Sequence, residues 1–308
     1  MRKIGFLFVV FFLSSPAWAR PSARPEKTKA KPTEIGAKMV LPSAMELDGA
    51  ERRVAMSSSL GPIDLRWERS VERLFGSTPE RAVAEAAQSV KRAINRGGFP
   101  VAATKLSLKW DVVFFDENIP SGQVPTALIT GCHPGWMTGD GKAAHIYIRA
   151  RAVSAGCSGA SSARSSVADV QLARVVIHEM GHGIEQAMLD GVGGTDRLRA
   201  EGFASWFEQY AAESSPSLRS EKIGEAFIKL ATQRHKQDPG PFNFQGTAYD
   251  YAYASMYFRA IESRFGVRRV FEAYDVMKSD RIGFFEAIQK RFSWDRQRLE
   301  QEVLRLLS

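Results

Sequence analysis

The segment HEMGH at residues 178–182 holds two histidines four residues apart and a glutamate directly after the first. On a helix, residues four apart lie on one face with Cβ atoms roughly 5 to 6 Å apart, so both imidazoles can bind one metal ion. Glu179 is rotated by about 100° from His178 around the axis, where its carboxylate can take a proton from a metal-bound water. The spacing predicts a zinc site at His178 and His182 with Glu179 as the general base. Two ordinary helical histidines are the alternative.

A catalytic zinc ion takes three protein ligands and leaves a fourth position for water. Glu185 is the nearest carboxylate, but it lies about 10 Å along the axis from His178, too far to complete a compact site. Glu201 follows His182 after eighteen residues, in the next predicted helix, which gives the pattern HExxH-x18-E. The metzincin pattern would need Gly at 185 and His at 188, where this chain has Glu185 and Met188. Glu201 is therefore predicted as the third ligand of one Zn2+ ion.

At these residues the chain resembles the gluzincin branch of the peptidase MA superfamily, which includes thermolysin-like and aminopeptidase-N-like enzymes. The segment EGFASWFE at residues 201–208 looks most like the aminopeptidase-N side, where an EGxAxxxE helix follows the zinc-binding helix. The resemblance implies that Glu208 supports a ligand histidine, and its position seven residues after Glu201 puts both on one helix face. An exposed helix carboxylate is the alternative for Glu208.

The resemblance also implies an oxyanion donor, because a tyrosine at the start of a later helix has that role in the family. The segment YDYAYA at residues 249–254 opens such a helix, and the distance to the closing Gly266 favours Tyr251, with Tyr249 in reserve. Aromatic packing of the helix start is the alternative. Such enzymes lay an extended peptide along an edge strand, for which residues 144–150 are the candidate; a strand without that role is the alternative. The GxMEN signature of the aminopeptidases is missing, so recognition of a free amine has no support.

These side chains need two neighbouring helices, and the sequence predicts both. Ser166 can begin a helix with Asp169 in its first turn, and Gly191 can end it. Thr195-Asp196 can begin the next helix, which should stop before Pro216. Further helices are predicted at residues 222–235, 249–265, 268–278, 282–291 and 294–307.

Strands are predicted ahead of these helices. A first helix is expected between the segment STPE at residues 77–80, which offers a cap and an early Pro, and the stop at Gly97-Gly98. Residues 106–114 then alternate between apolar and mostly polar side chains, which indicates a strand with one buried face. Residues 144–150 form a second predicted strand.

The order of the elements indicates one α+β domain over residues 61–308, with the fold proper beginning near Leu65. A small mixed-sheet lobe, at about residues 61–165, precedes a mainly helical lobe at about residues 166–308. The resemblance implies a zincin-like domain with the active site between the lobes. Residues 20–60 are predicted to be a Pro- and Lys-rich linker and entry segment, since they lack sustained periodicity.

The first nineteen residues have the pattern of a signal peptide. Arg2 and Lys3 precede an apolar run at residues 4–13, and Ala17-Trp18-Ala19 has the small-x-small form of a signal-peptidase site. We expect cleavage after Ala19, with an uncleaved signal as the alternative. The mature protein should then be periplasmic or secreted, without a transmembrane segment.

The chain has two cysteines, Cys132 and Cys157. In an oxidising compartment they predict one disulfide. Zinc binding together with the nearby His133 and His145 is the alternative, although the close paired spacing of structural zinc sites is missing.

The formal net charge is +8, but much of the excess lies in residues 20–38. Such an excess is typical of a solvated tail, so nucleic acid is not expected as a partner. The predicted function is an exported zinc peptidase that hydrolyses peptide bonds in peptides or proteins through a metal-activated water. The alternatives are a non-catalytic, envelope-associated binding module that retains the fold, and a zinc amidase acting on a non-peptide amide.

Overall fold

A computed structural model describes most of the chain after residue 50. The described residues are 51–58, 60–75, 77–98, 108–116, 134–139, 142–155, 166–190, 196–219, 222–240 and 242–308. They form a five-stranded mixed sheet followed by a mainly helical region, which is the predicted α+β arrangement. The signal peptide, Cys132, Cys157 and His133 lie outside the described residues, so export and the disulfide stay predictions.

The sheet combines parallel and antiparallel pairs. Its strands are β1 (Glu51–Ser58), β2 (Gly61–Glu68), β3 (Lys109–Phe115), β4 (Gly135–Gly139) and β5 (Ala143–Arg149), in the spatial order β1-β2-β3-β5-β4. β2, β3 and β5 run parallel, whereas β1 is antiparallel to β2 and β4 is antiparallel to β5. β1 and β4 are therefore the edges of the described sheet.

Three expectations about the strands were wrong. β1 lies in the segment predicted as linker, so the sheet begins at Glu51 rather than near Leu65; most of this edge strand is exposed, which weakens any apolar alternation. β3 is buried on both faces from Val112 to Phe115, because it is a central strand between β2 and β5. β5, which covers the strand predicted at residues 144–150, is an inner strand, and β4 is the edge beside it.

The helices of the structure confirm most of the predicted ones. α1 (Pro79–Gly97) begins after Thr78, whose side chain accepts a hydrogen bond from the Arg81 backbone, and ends at the left-handed Gly98. α2 (Ala150–Ala155), the short α5 (Pro216–Arg219) and a 3-10 turn at Arg69–Arg73 were not predicted. The remaining helices are α3 (Ser166–Leu189), α4 (Arg197–Ala212), α6 (Ile223–Gln237), α7 (Ala248–Phe265), α8 (Val267–Asp280), α9 (Phe284–Phe292) and α10 (Arg296–Leu307).

α3 joins the sheet to the helical region. It contacts β4 and β5 as well as α1 and α4. One hydrophobic cluster runs through both parts and includes Trp110 and Ile146 of the sheet with Ile177 of α3 and Phe207 of α4. This continuous core fixes α3 against both partners. None of the described helices combines the length and the apolar character needed to cross a bilayer.

Candidate metal centre

Two helices bring His178, His182 and Glu201 together. Glu201 Oε2 lies 3.5 Å from His178 Nε2 and 3.2 Å from His182 Nε2. One ligand atom from each residue can be chosen so that all three lie within 4.8 Å of one another. Within the described part of the chain, this is the one group of three or more such side chains with that geometry.

The local sequence explains why α3 and α4 approach so closely at this point. The two histidines lie on one face of α3, because four residues separate them. Between them, Gly181 faces α4, where an added Cβ would lie 3.2 Å from the Ala204 backbone. Asp196 caps the start of α4, and its side chain accepts a hydrogen bond of 3.2 Å from the Arg199 backbone. The predicted helix start therefore sets the position of Glu201.

Glu208 contacts the ring of His178 from the side opposite Glu201. Its Oε2 is 3.4 Å from His178 Nδ1, while Glu201 is near the other ring nitrogen. Arg174 pairs with Glu208, with Nη2 2.7 Å from Oε1. Glu208 is buried, so the alternative of an exposed helix carboxylate is wrong. Arg174 was not predicted, although it lies four residues before His178 on the same helix face.

The carboxyl group of Glu179 is almost completely buried, at 5% exposure. Its Oε2 has no hydrogen-bond partner among the described residues. The other oxygen of this carboxylate, Oε1, is close to the edge strand β4, because a Cβ added to Gly135 would lie 3.0 Å from it. Burial raises the pKa of Glu179, and the nearby histidines only partly oppose this effect. An unpaired buried carboxylate oxygen is costly and calls for an explanation at this position.

The three central groups strongly perturb one another's protonation. Burial opposes the charged form of His178, but hydrogen bonds to Glu201 and Glu208 raise its pKa to about 10. Burial likewise opposes the charge of Glu201, yet the charge of His182 and the hydrogen bonds of both histidines hold its pKa well below the usual range. The two histidines thus place positive charge around the carboxylate of Glu201. A bound cation could take over that charge, and the histidines would then release protons.

The donor set fits zinc. Two imidazole nitrogens and one carboxylate oxygen form one of the three-ligand sets found at catalytic zinc sites. The carboxylate of Glu208 at the second nitrogen of His178 matches the way ligand histidines are usually oriented. The unpaired Oε2 of Glu179 beside this set fits a base that awaits a water molecule.

Tyr251 lies next to the histidines, at the start of α7. Its ring centroid is 6.2 Å from that of His178 and 5.3 Å from that of Phe244. Burial, with a contribution from the charge of Glu201, raises the pKa of Tyr251. Tyr249 is only half-buried and makes no ring contact with the histidines or with any other described residue. Of the two predicted tyrosines, Tyr251 is the one beside the candidate metal ligands.

The loop before Tyr251 is held by a buried carboxylate. Asp250, the third residue of α7, forms a capping box with Thr247 and accepts a 2.8 Å hydrogen bond from Arg234 Nε. It also accepts a 3.0 Å hydrogen bond from the backbone of Gln245. These contacts fix the direction in which the chain enters α7 and thereby the position of Tyr251.

Glu185, the rejected ligand, takes part in a separate buried network. Its Oε1 accepts hydrogen bonds of 2.9 Å from Arg199 Nε and 2.7 Å from the Tyr274 hydroxyl. The ion pair of Glu185 and Arg199 joins α3 to α4 about one helical turn away from the candidate metal ligands.

Comparison with known proteins adds no family to this description. No protein-family model matches the chain, and no curated protein matches it either. The likeness to gluzincins therefore rests on the motif and on the geometry of the site.

Proposed function

We propose that the chain is a zinc-dependent peptidase that hydrolyses peptide bonds, with His178, His182 and Glu201 holding one zinc ion. The observation that carries the proposal is the convergence of these three side chains, with atoms within 4.8 Å of one another, beside the buried carboxylate of Glu179, whose Oε2 has no hydrogen-bond partner among the described residues. A retired binding module would have no need to keep a carboxyl oxygen buried without a hydrogen-bond partner. When bound, zinc supplies a Lewis acid that lowers the pKa of a water molecule and polarises a carbonyl.

Glu179 is the general base of this reaction. It takes a proton from the attacking water and delivers it to the leaving amine as the carbon–nitrogen bond breaks. Its raised pKa suits both steps, because a carboxyl group closer to neutrality gains and returns a proton more easily. Burial in the core keeps bulk water from competing for that proton.

Tyr251 stabilises the oxyanion that forms from the substrate carbonyl. Its pKa is raised, so the phenol keeps its proton at neutral pH and can donate a hydrogen bond. The contact between the rings of Tyr251 and His178 puts this donor on the side of the metal centre formed by α7.

The edge strand β4 favours a peptide as the substrate. It borders Glu179 at Gly135 and, among the described strands, pairs with β5 alone. An extended peptide can add to such an edge by main-chain hydrogen bonds, which would lay its backbone next to the general base. In this proposal β4, rather than the strand predicted at residues 144–150, is the edge strand that binds the peptide.

The test is cleavage of a peptide library by the mature protein, with and without a chelator. We expect cleavage that the chelator abolishes and that added zinc restores. Glu179→Gln should lose turnover by at least about a hundredfold while its zinc content stays unchanged. The matched control is Glu225→Gln, at a side chain 59% exposed on α6, which should leave turnover unchanged.

Tyr251→Phe separates the oxyanion role from packing. It keeps the ring and should lower kcat by about a hundredfold without loss of zinc. Zinc binding without cleavage of any peptide would favour the binding module, and cleavage of non-peptide amides alone would favour the amidase. Persistent activity in Glu179→Gln would contradict the mechanism.

A further inference from the structure

Arg197 is a charged side chain at the metal centre that the proposed mechanism does not use. It is the first residue of α4 and lies four residues before Glu201, so both side chains are on one face of the helix. It is exposed, whereas Glu201 is partly buried at the bottom of the same face. Arg197 therefore lies on the solvent side of the proposed zinc ligand.

The loop before α7 holds the guanidinium group in place. The Arg197 Cζ lies 5.2 Å from the centroid of the Phe244 ring, a cation–π distance. A Cβ added to Gly246 would be 3.6 Å from Arg197 Nη2. Arg197 also lies close to the side chain of Tyr251, the proposed oxyanion donor, because its charge and hydrogen bonding partly oppose the rise in the pKa of that phenol. The guanidinium group is thus oriented beside the reaction site.

Arg197 differs from the other arginines around the site in having no acidic partner within the described part of the chain. Arg174, Arg199 and Arg234 each contact a carboxylate, at 2.7, 2.9 and 2.8 Å respectively. No carboxylate among the described residues lies within ion-pair distance of Arg197, and the preceding segment 191–195 contains no acidic residue. Its contacts with Phe244 and Tyr251 leave donors of the guanidinium free for an anionic ligand.

We propose that Arg197 binds a carboxylate of the substrate close to the bond that is cleaved, which makes the enzyme selective for peptides that carry a carboxylate at that position. The inference rests on the proposed peptidase function. Guanidinium groups pair with carboxylates in a forked geometry that a neutral amide cannot reproduce. Because Arg197 touches Tyr251, the carboxylate must belong to a residue that adjoins the cleaved bond.

Such a carboxylate can be an acidic side chain or the free C-terminus of a peptide. The test therefore starts from one peptide that the library assay shows to be cleaved. The peptide is synthesised with Glu or Gln on each side of the cleaved bond. The same bond is also placed one residue from the C-terminus, as a free acid or as an amide.

Binding is measured by fluorescence anisotropy on the zinc-loaded Glu179→Gln protein, which holds the peptide without cleaving it. We expect the acidic member of one pair to bind roughly tenfold more tightly than its neutral counterpart, as for a hydrogen bond to a charged group. Preference in the side-chain pair identifies an acidic residue as the ligand. Preference in the C-terminal pair identifies a carboxypeptidase-like site.

Arg197→Gln should abolish this preference, and Arg197→Lys should restore part of it. The matched control is Arg264→Gln, at an exposed arginine of α7 that lies about 20 Å along the helix axis from Tyr251. It should keep the full preference. Equal binding of acidic and neutral peptides, or a preference that survives Arg197→Gln, would overturn the proposal. Absence of any cleaved peptide would instead overturn the peptidase function itself.

Discussion

Replacing Arg199 with methionine should destabilise the protein by about 3–5 kcal/mol, because it leaves the charge of Glu185 buried without its partner. The two side chains are only 5% and 3% exposed, and Arg199 Nε lies 2.9 Å from Glu185 Oε1. Arg199 is two residues before Glu201, and Glu185 is three residues after His182. The ion pair therefore joins the two helices that carry the proposed ligands.

The loss of stability should be smaller when the charges of Glu185 and Arg199 are removed together. In the double variant Glu185→Leu with Arg199→Met, neither charge is left alone in the core. The remaining cost comes from the Tyr274 hydroxyl, which loses the acceptor now 2.7 Å away and should contribute about 1–3 kcal/mol. Adding Tyr274→Phe should recover most of that amount, since the unpaired hydroxyl is then gone.

The measurement is urea-induced unfolding of the zinc-free protein, followed by circular dichroism. Lys222→Met is the control, because its pair with Glu225 has side chains 66% and 59% exposed and should contribute less than about 1 kcal/mol. A cost below about 1 kcal/mol for Arg199→Met would refute the reasoning. So would a double variant as unstable as the sum of its single changes, because the two residues would then not be coupled.

Three further predictions concern the metal centre. Glu208→Gln should lower zinc affinity by about 10- to 100-fold, because His178 loses its supporting carboxylate and Arg174 loses its charged partner. The affinity is measured in competition with a chelator, and an unchanged value would contradict this role of Glu208. Gly135→Val should reduce kcat but not zinc content, because even a Cβ at this position would lie 3.0 Å from Glu179 Oε1. A normal kcat would show that β4 can move enough to accommodate the side chain. Zinc affinity should rise at least about tenfold per pH unit between about pH 7 and pH 9. His178, with its pKa raised to about 10 despite burial, must release a proton to bind, and the pKa of His182 is raised as well. Calorimetry in buffers of different ionisation enthalpy should detect the released protons, and a flat pH profile would contradict the shift.

The helices that carry the site could be predicted from the sequence because their signals are local. The spacing of His178 and His182, the cap at Asp196 and the stop before Pro216 each involve residues within one or two turns. The remaining step, from two helices to three converging ligands, needed only the known coordination of zinc. The structure does bring Glu201 to the two imidazoles.

The sheet was predicted less well, because strand order depends on contacts between distant segments. β4 has five residues, two of them glycine, and shows no alternation that distinguishes it from a loop. β1 is largely exposed, and only Val54 and Met56 of this strand pack against the core, so its apolar alternation is too short to stand out in the sequence. Which strand forms the edge beside Glu179 follows from the pairing of β4 with β5 and cannot be read from either segment alone.

Two of the arginines around the site, Arg174 and Arg197, show why substrate specificity is harder to predict from sequence than the chemistry of the site. Arg174 and Arg197 stand four residues before His178 and Glu201, so helix geometry places each beside a proposed ligand. From the sequence they are equivalent. Arg174 pairs with Glu208 of the neighbouring helix, whereas Arg197 has no carboxylate partner among the described residues and lies beside Phe244 and Tyr251. The same local spacing therefore produces a support for the metal centre in one case and a proposed substrate-binding group in the other, and the difference lies in partners that only the tertiary fold supplies.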